Sequence, residues 1–174
     1  GYDKLNFATI AKELDTTRAN LHYHFKNKET LAIEVTRQYA NRYIDEFNRL
    51  RQTYNGNYLG FFETVENMIW QHSGGSDDDK VASCSTLVSD PELPESIAKL
   101  SRENYEAIER TIAGVLQDAA DNNEIRKDID VKREASRSHV IMMGMGTCGE
   151  YLLNLKQAKE RFSGMLEDWA NSLK

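Results

Sequence analysis

The sequence predicts an all-α protein in two parts, a small helical unit at the front and a larger helical bundle behind it. Apolar residues recur at helical spacing along most of the chain, and no stretch alternates apolar and polar residues long enough to make a strand. Only two prolines and ten glycines interrupt 174 residues, too few turn formers for a β-protein. With 40% hydrophobic and 29% charged residues, the chain can bury a core and is not disordered as a whole.

The elements follow in order. Phe7, Ile10, Ala11 and Leu14 lie at i, i+3, i+4, i+7, one face of a short helix. Thr16-Thr17 offers an N-cap for a second short helix ending near Phe25. Asn27 caps a third, with Glu29 in its first turn, where a carboxylate meets the positive end of the helix dipole. Its inward ladder reads Leu31, Val35, Tyr39, Tyr43, Phe47, Leu50, Tyr54, and Asn55-Gly56 ends it. A fourth helix covers roughly 57–72, the segment 73–79 (Ser-Gly-Gly-Ser-Asp-Asp-Asp) is a loop, and a short helix is expected over 80–89. A long helix over 94–121 ends at Asn122-Asn123, Asp130 caps the next at 131–154, and the last runs over 156–173.

The net charge is −6. Residues 1–47 hold seven Lys/Arg and seven Asp/Glu, so the front part is neutral and the rest carries the whole deficit. This balance does not by itself suggest a polyanion partner. The longest apolar run, Val140 to Gly146 with its glycines, is far short of the roughly 20 residues that span a membrane. Two cysteines, Cys84 and Cys148, make no disulfide framework and no zinc quartet, which fits a reducing cytoplasm. No Ser/His/Asp spacing, phosphate-binding glycine loop or metal quartet supports an enzyme, and no cofactor is expected. His22 and His24, two apart on a helix, point to opposite sides and cannot share a metal. Asp77-Asp78-Asp79 lacks the twelve-residue calcium loop and reads as solvated.

Two short helices joined by a tight turn form a helix-turn-helix pattern. The turn is Leu14-Asp15-Thr16, and Leu21 and Phe25 face the first helix. Thr17, Arg18, Asn20, Tyr23 and His24 are then left facing outward. Arg suits a bidentate pair with guanine and Asn one with adenine.

The segments Phe7-Ala8-Thr9-Ile10-Ala11-Lys12-Glu13-Leu14 and Leu21-His22-Tyr23-His24-Phe25-Lys26-Asn27-Lys28-Glu29-Thr30-Leu31 resemble the DNA-binding domain of the TetR (tetracycline-repressor-like) family. The resemblance covers residues 1–47; residues 48–174 fit the family's variable helical domain in length and helix count. Asp15 replaces the usual turn glycine, and Asp tolerates positive φ better than most residues. His22 stands where the family most often has Tyr. The family's first helix would lie before Gly1, so the domain is expected to be truncated at its N-terminus.

The resemblance implies a ligand-responsive transcriptional regulator, usually a repressor, that binds a near-palindromic operator as a homodimer. The domains are then a DNA-binding unit over 1–47 and a ligand-binding and dimerisation unit over 48–174, with the boundary inside the third helix. Thr17, Arg18 and Asn20 become the candidate base or groove readers, Tyr23 and His24 phosphate or sugar contacts, and Lys28 a phosphate clamp. The last two helices would form the dimer contact, with Gly146, Gly149, Leu153, Phe162, Leu166 and Trp169 as interface candidates. Helix faces suggest Phe62, Val65, Ile69, Cys84 and Leu87 as lining for a small-molecule effector, with Tyr105, Ile108, His139 and Met142 opposite. The effector's identity is not readable. A helical adaptor that no longer binds DNA is the alternative.

Overall fold

The computed structural model describes residues 2–71, 93–149 and 154–174. Among these the order is a 3-10 turn (Tyr2–Lys4), then α1 (Phe7–Glu13), α2 (Arg18–Phe25), α3 (Lys28–Thr53), α4 (Tyr58–Gln71), α5 (Glu95–Asp121), α6 (Val131–Gly149), α7 (Leu155–Phe162) and α8 (Met165–Asn171). No strand occurs among the described residues. The loop expected over 73–79, the short helix over 80–89 and the candidates Cys84, Leu87 and Leu153 lie outside them.

Side-chain caps start six of the described helices: Asn57 accepts from the Gly60 N–H before α4 and Asp130 from the Arg133 N–H before α6, and four more follow the same pattern. Asn6 accepts from the Ala8 N–H, Thr17 from Asn20, Asn27 from Thr30 and Asn154 from Gln157. Each satisfies a backbone donor that has no partner within its own helix.

Two apolar clusters organise the chain. The front one joins Phe7 and Ala11 of α1, Leu21 of α2 and Leu31 of α3. The larger one joins Phe47 and Leu50 of α3 to Phe61 and Phe62 of α4, Ile112 and Leu116 of α5, and Leu166 of α8. Helix α3 therefore supplies residues to both, and it packs along α5 for much of its length. Thr111 on α5 donates to Asn48 on α3 at 3.0 Å. Arg51 and Asp118 pair across the same seam at 2.7 and 3.0 Å.

The structure corrects three expectations. Leu14 does not continue the buried face of α1; it is the C-cap and lies mostly in solvent. Val35 and Tyr39 are exposed on α3, between the front cluster that ends at Leu31 and the rear cluster that begins near Tyr43. The last helix is two helices. Ser163 is extended (ψ 140°) and Gly164 is left-handed (φ +86°), so the chain turns between α7 and α8. The buried Glu66 of α4 accepts from the N–H groups of Gly164 at 2.7 Å and Leu166 at 3.3 Å. It caps a helix start that has no side-chain cap of its own.

Candidate nucleic-acid interface

The front unit is built on one turn. Helix α1 ends with the Thr16 N–H bonded to the Ala11 carbonyl at 2.9 Å and the Asp15 N–H reaching Lys12 at 3.5 Å. Asp15 has φ +48°. This is a Schellman ending with a left-handed residue just past the cap, in the conformation expected of Asp15. Thr17, two residues on, is extended and opens α2.

Leu21 is buried against α1, and Phe25 packs partly beside it. The opposite face of α2 is open. Arg18 and Asn20 are exposed, and Tyr23 is 82% exposed. Thr17 already holds the Asn20 N–H at 3.1 Å, and the Asn20 amide donates to Thr16 Oγ1 at 3.0 Å. The Tyr23 and His24 rings meet edge to face, 5.2 Å apart. Thr17, Asn20, Tyr23 and His24 lie on the side of the helix away from Leu21 and Phe25, whereas Arg18, at its start, lies on the His22 side.

The next turn is tighter. The Asn27 N–H bonds to the Phe25 carbonyl at 2.6 Å around Lys26, which has φ +58° and ψ −53°. That is the γ-turn region, seldom occupied by a residue other than glycine. The third helix begins at once, and the Lys28 ammonium lies 4.1 Å from the centre of the Tyr2 ring, a cation–π distance. Burial pushes the Tyr2 hydroxyl pKa up, and the charge of Glu29 adds to it. Glu29 also accepts from Ser96 in the first turn of α5 at 2.5 Å. The front unit is thus tied to the rear bundle through the first turn of α3, a link no local pattern in the sequence announces.

His22 departs from a simple outward or inward placement. Its ring packs edge to face on Phe7 of α1 at 4.6 Å, while its two nitrogens lie at hydrogen-bond distance from Arg18 and from the Lys26 carbonyl. Only the i, i+4 spacing of 18, 22 and 26 could have signalled this.

In the bundle, Phe62 and Val65 are wholly buried in the core, Phe62 wedged between Phe61 and Trp169. Ile69, Ile108 and Met142 are partly buried against that core. Tyr105 and His139 meet face to face, with ring centres 4.0 Å apart and planes 15° from parallel. His139 is buried and its Nδ1 has no hydrogen-bond partner. Desolvation pushes its pKa down, against an opposing pull from Glu109. Burial pushes the Tyr105 pKa up, and Glu109 reinforces this by charge and hydrogen bond. A cleft of about 330 Å³ between α5 and α6 lies beside them, lined among others by Glu109, Arg110, Lys132 and Ser136.

The interface candidates divide. Leu166 is fully buried in the chain's own core and cannot reach a partner, because α8 turns it onto α4. Gly149 is buried, and Phe162 and Trp169 pack partly on the core. Trp169 Nε1 donates to Glu134 at 3.0 Å. Gly146 opens onto free space. An open apolar groove of about 520 Å³ runs beside Val140, Ile141 and Trp169, flanked by Arg133 and Arg137. Val140 and Met143 on α6 and Met165 on α8 are exposed.

Residues 1–35 match the family described as bacterial regulatory proteins, tetR family. The whole chain superposes on the crystal structure of E. coli NemR in its reduced form, with a TM-score of 0.81, 15% identity and 89% of that chain covered. It superposes also on a TetR transcriptional regulator from Legionella pneumophila, with a TM-score of 0.70, 20% identity and 89% of that chain covered. At these identities the likeness concerns the fold. No curated protein matches the sequence.

Proposed function

We propose that this chain, whose residues 1–35 match the tetR family of bacterial regulatory proteins, is a cytoplasmic, ligand-responsive repressor of that family that binds a near-palindromic operator as a homodimer. The observation that carries the reading is the α1–turn–α2 unit. It buries Leu21 and leaves Thr17, Asn20, Tyr23 and His24 exposed on the far side of α2, with Arg18 exposed at its start on the His22 side. A helix presented this way enters a major groove with side chains at its start near base edges. Two copies related by a twofold axis then read two half-sites one helical turn apart.

The exposed Val140, Met143 and Met165, with the open groove beside Trp169, support a self-association surface on α6 and α8. The effector is a small molecule held in the bundle, with Tyr105 and His139 the candidates that stand in direct contact. Coupling runs along α3. Its first turn is tied to α5 by Glu29–Ser96, its middle by Asn48–Thr111 and its end by Arg51–Asp118. An effector that prefers one arrangement of this seam shifts the spacing of the two α2 helices, and a coupling of about 1–3 kcal/mol changes operator affinity about 5–150-fold. No catalytic step and no cofactor enter this reading.

The test is a band shift of the full-length protein on the DNA upstream of its own gene, at several salt concentrations. A specific complex that weakens steeply with salt is expected. A folded dimer that gives no shift at low salt overturns the reading in favour of a helical adaptor.

A further inference from the structure

The geometry points to His22 as a positioning residue that aims Arg18 at a guanine and so sets specificity at one operator position, an inference that rests on α2 being the DNA-reading helix.

Arg18 Nε lies 3.4 Å from His22 Nε2, and His22 Nδ1 lies 3.1 Å from the Lys26 carbonyl oxygen. An arginine only donates and a carbonyl only accepts. Both contacts are satisfied by one form of the ring alone: neutral, with the proton on Nδ1 and the lone pair on Nε2. The order is then Arg18 N–H to His22, and His22 N–H to the Lys26 carbonyl. The ring is held on a third side by Phe7, which is only 6% exposed and so a fixed wall.

The consequence falls on Arg18. It is the first residue of α2 and its side chain is exposed, so without a partner it would sample many rotamers. Engaging Nε restrains the guanidinium and leaves its Nη1–Nη2 edge for the two acceptors of guanine, O6 and N7. Preorganising a side chain favours the base that fits its held geometry. Lys26 contributes by its backbone alone, through the γ-turn that ends α2.

The test is selection of duplexes from a randomised double-stranded library by the full-length protein, its R18A, H22L and H22Q variants, and melting of each. Gln can donate with Nε2 and accept with Oε1, whereas Leu keeps bulk against Phe7 and can do neither. The wild-type protein should prefer guanine at one half-site position by about 10-fold or more, the discrimination typical of a bidentate pair. R18A and H22L should both flatten that position alone, and H22Q should restore it, with all four melting alike. If H22L keeps the wild-type preference, or flattens a position that R18A does not, the inference is overturned while the DNA reading stands. Loss in both H22L and H22Q overturns it too, since a hydrogen-bonding role predicts rescue. If the wild-type protein selects no sequence, the reading of α2 itself fails and the inference goes with it.

Discussion

Arg51 crosses α5 directly over Gly114 to reach Asp118. Its Nε and Nη2 meet the two carboxylate oxygens at 2.7 and 3.0 Å, and a Cβ added to Gly114 would lie 2.2 Å from Nη1. Both side chains are more than a third exposed, so the pair contributes at most about 1 kcal/mol. A glycine inside a helix costs about 1 kcal/mol relative to alanine. The two terms nearly cancel. The arrangement therefore serves the position of α3 on α5 more than the stability of the fold, and in the proposed function this seam couples the bundle to the front unit.

Gly114→Ala separates the two terms. The new methyl displaces the guanidinium, so the helix-propensity gain and the loss of the pair should leave unfolding free energy within about 0.5 kcal/mol of wild type. In an Arg51→Ala background the guanidinium that the methyl would meet is gone, and the same change should stabilise by about 1 kcal/mol. Urea unfolding of the four proteins closes the cycle. An equal effect of Gly114→Ala in both backgrounds would show that Arg51 does not depend on the glycine.

Glu66 supplies the acceptors for the start of α8, and the site is buried. Glu66→Ala leaves the Gly164 and Leu166 N–H groups without their acceptor, a loss of about 2–3 kcal/mol for one buried and one part-buried donor. Glu66→Gln keeps one amide oxygen and should cost about 1 kcal/mol. At roughly 2–4 °C per kcal/mol for a chain of this size, thermal melts should rank wild type above Gln, and Gln above Ala. Equal losses for both variants would sink the capping role.

How far these features could be read from sequence depends on the range of the signal. The Asp15 turn and the caps at Thr17 and Asn27 are local, and residue type alone places them. The outward face of α2 followed from Leu21 and Phe25 turning inward. The break at Gly164 was hidden because Phe162, Met165, Leu166 and Trp169 keep helical spacing across it, so the pattern reads as one helix although the backbone turns. Arg51 and Asp118 are 67 residues apart, and Glu66 and Gly164 are 98 apart; nothing near either residue announces its partner. Val35 and Tyr39 misled for a different reason. Periodicity gives the face of a helix, not whether a neighbour covers it, and α3 outruns both clusters that it joins.

His139 makes stability depend on pH. Burial holds its folded pKa below the ordinary 6.5, with the charge of Glu109 pulling the other way. As pH falls through 6.5 the unfolded chain binds a proton that the folded chain refuses, so stability is complete above 6.5 and declines from there down to the folded value. Melting temperature should therefore drop between pH 7.5 and 5.5, a range above the ordinary Asp and Glu titrations. His139→Gln removes the titrating group and should flatten that drop. A variant that loses melting temperature over this range as steeply as wild type would show that the decline originates elsewhere.

Arg18 and Lys28 should fail in different ways. Arg18 is exposed at the start of α2; in the proposed role of base reader, Arg18→Ala should cost about 1–3 kcal/mol on the best operator and relax one position. Lys28 is at the first residue of α3, its ammonium over the Tyr2 ring, and its proposed role is a phosphate contact by a point charge. Lys28→Ala should weaken all sequences about equally and reduce the salt slope by about one. Titrating both variants on the selected operator and on a scrambled duplex, each at two salt concentrations, distinguishes the roles. The Arg18 assignment depends on the operator losing more affinity than the scrambled duplex; equal losses on the two would make Arg18 a second phosphate contact and leave sequence reading to Thr17 and Asn20.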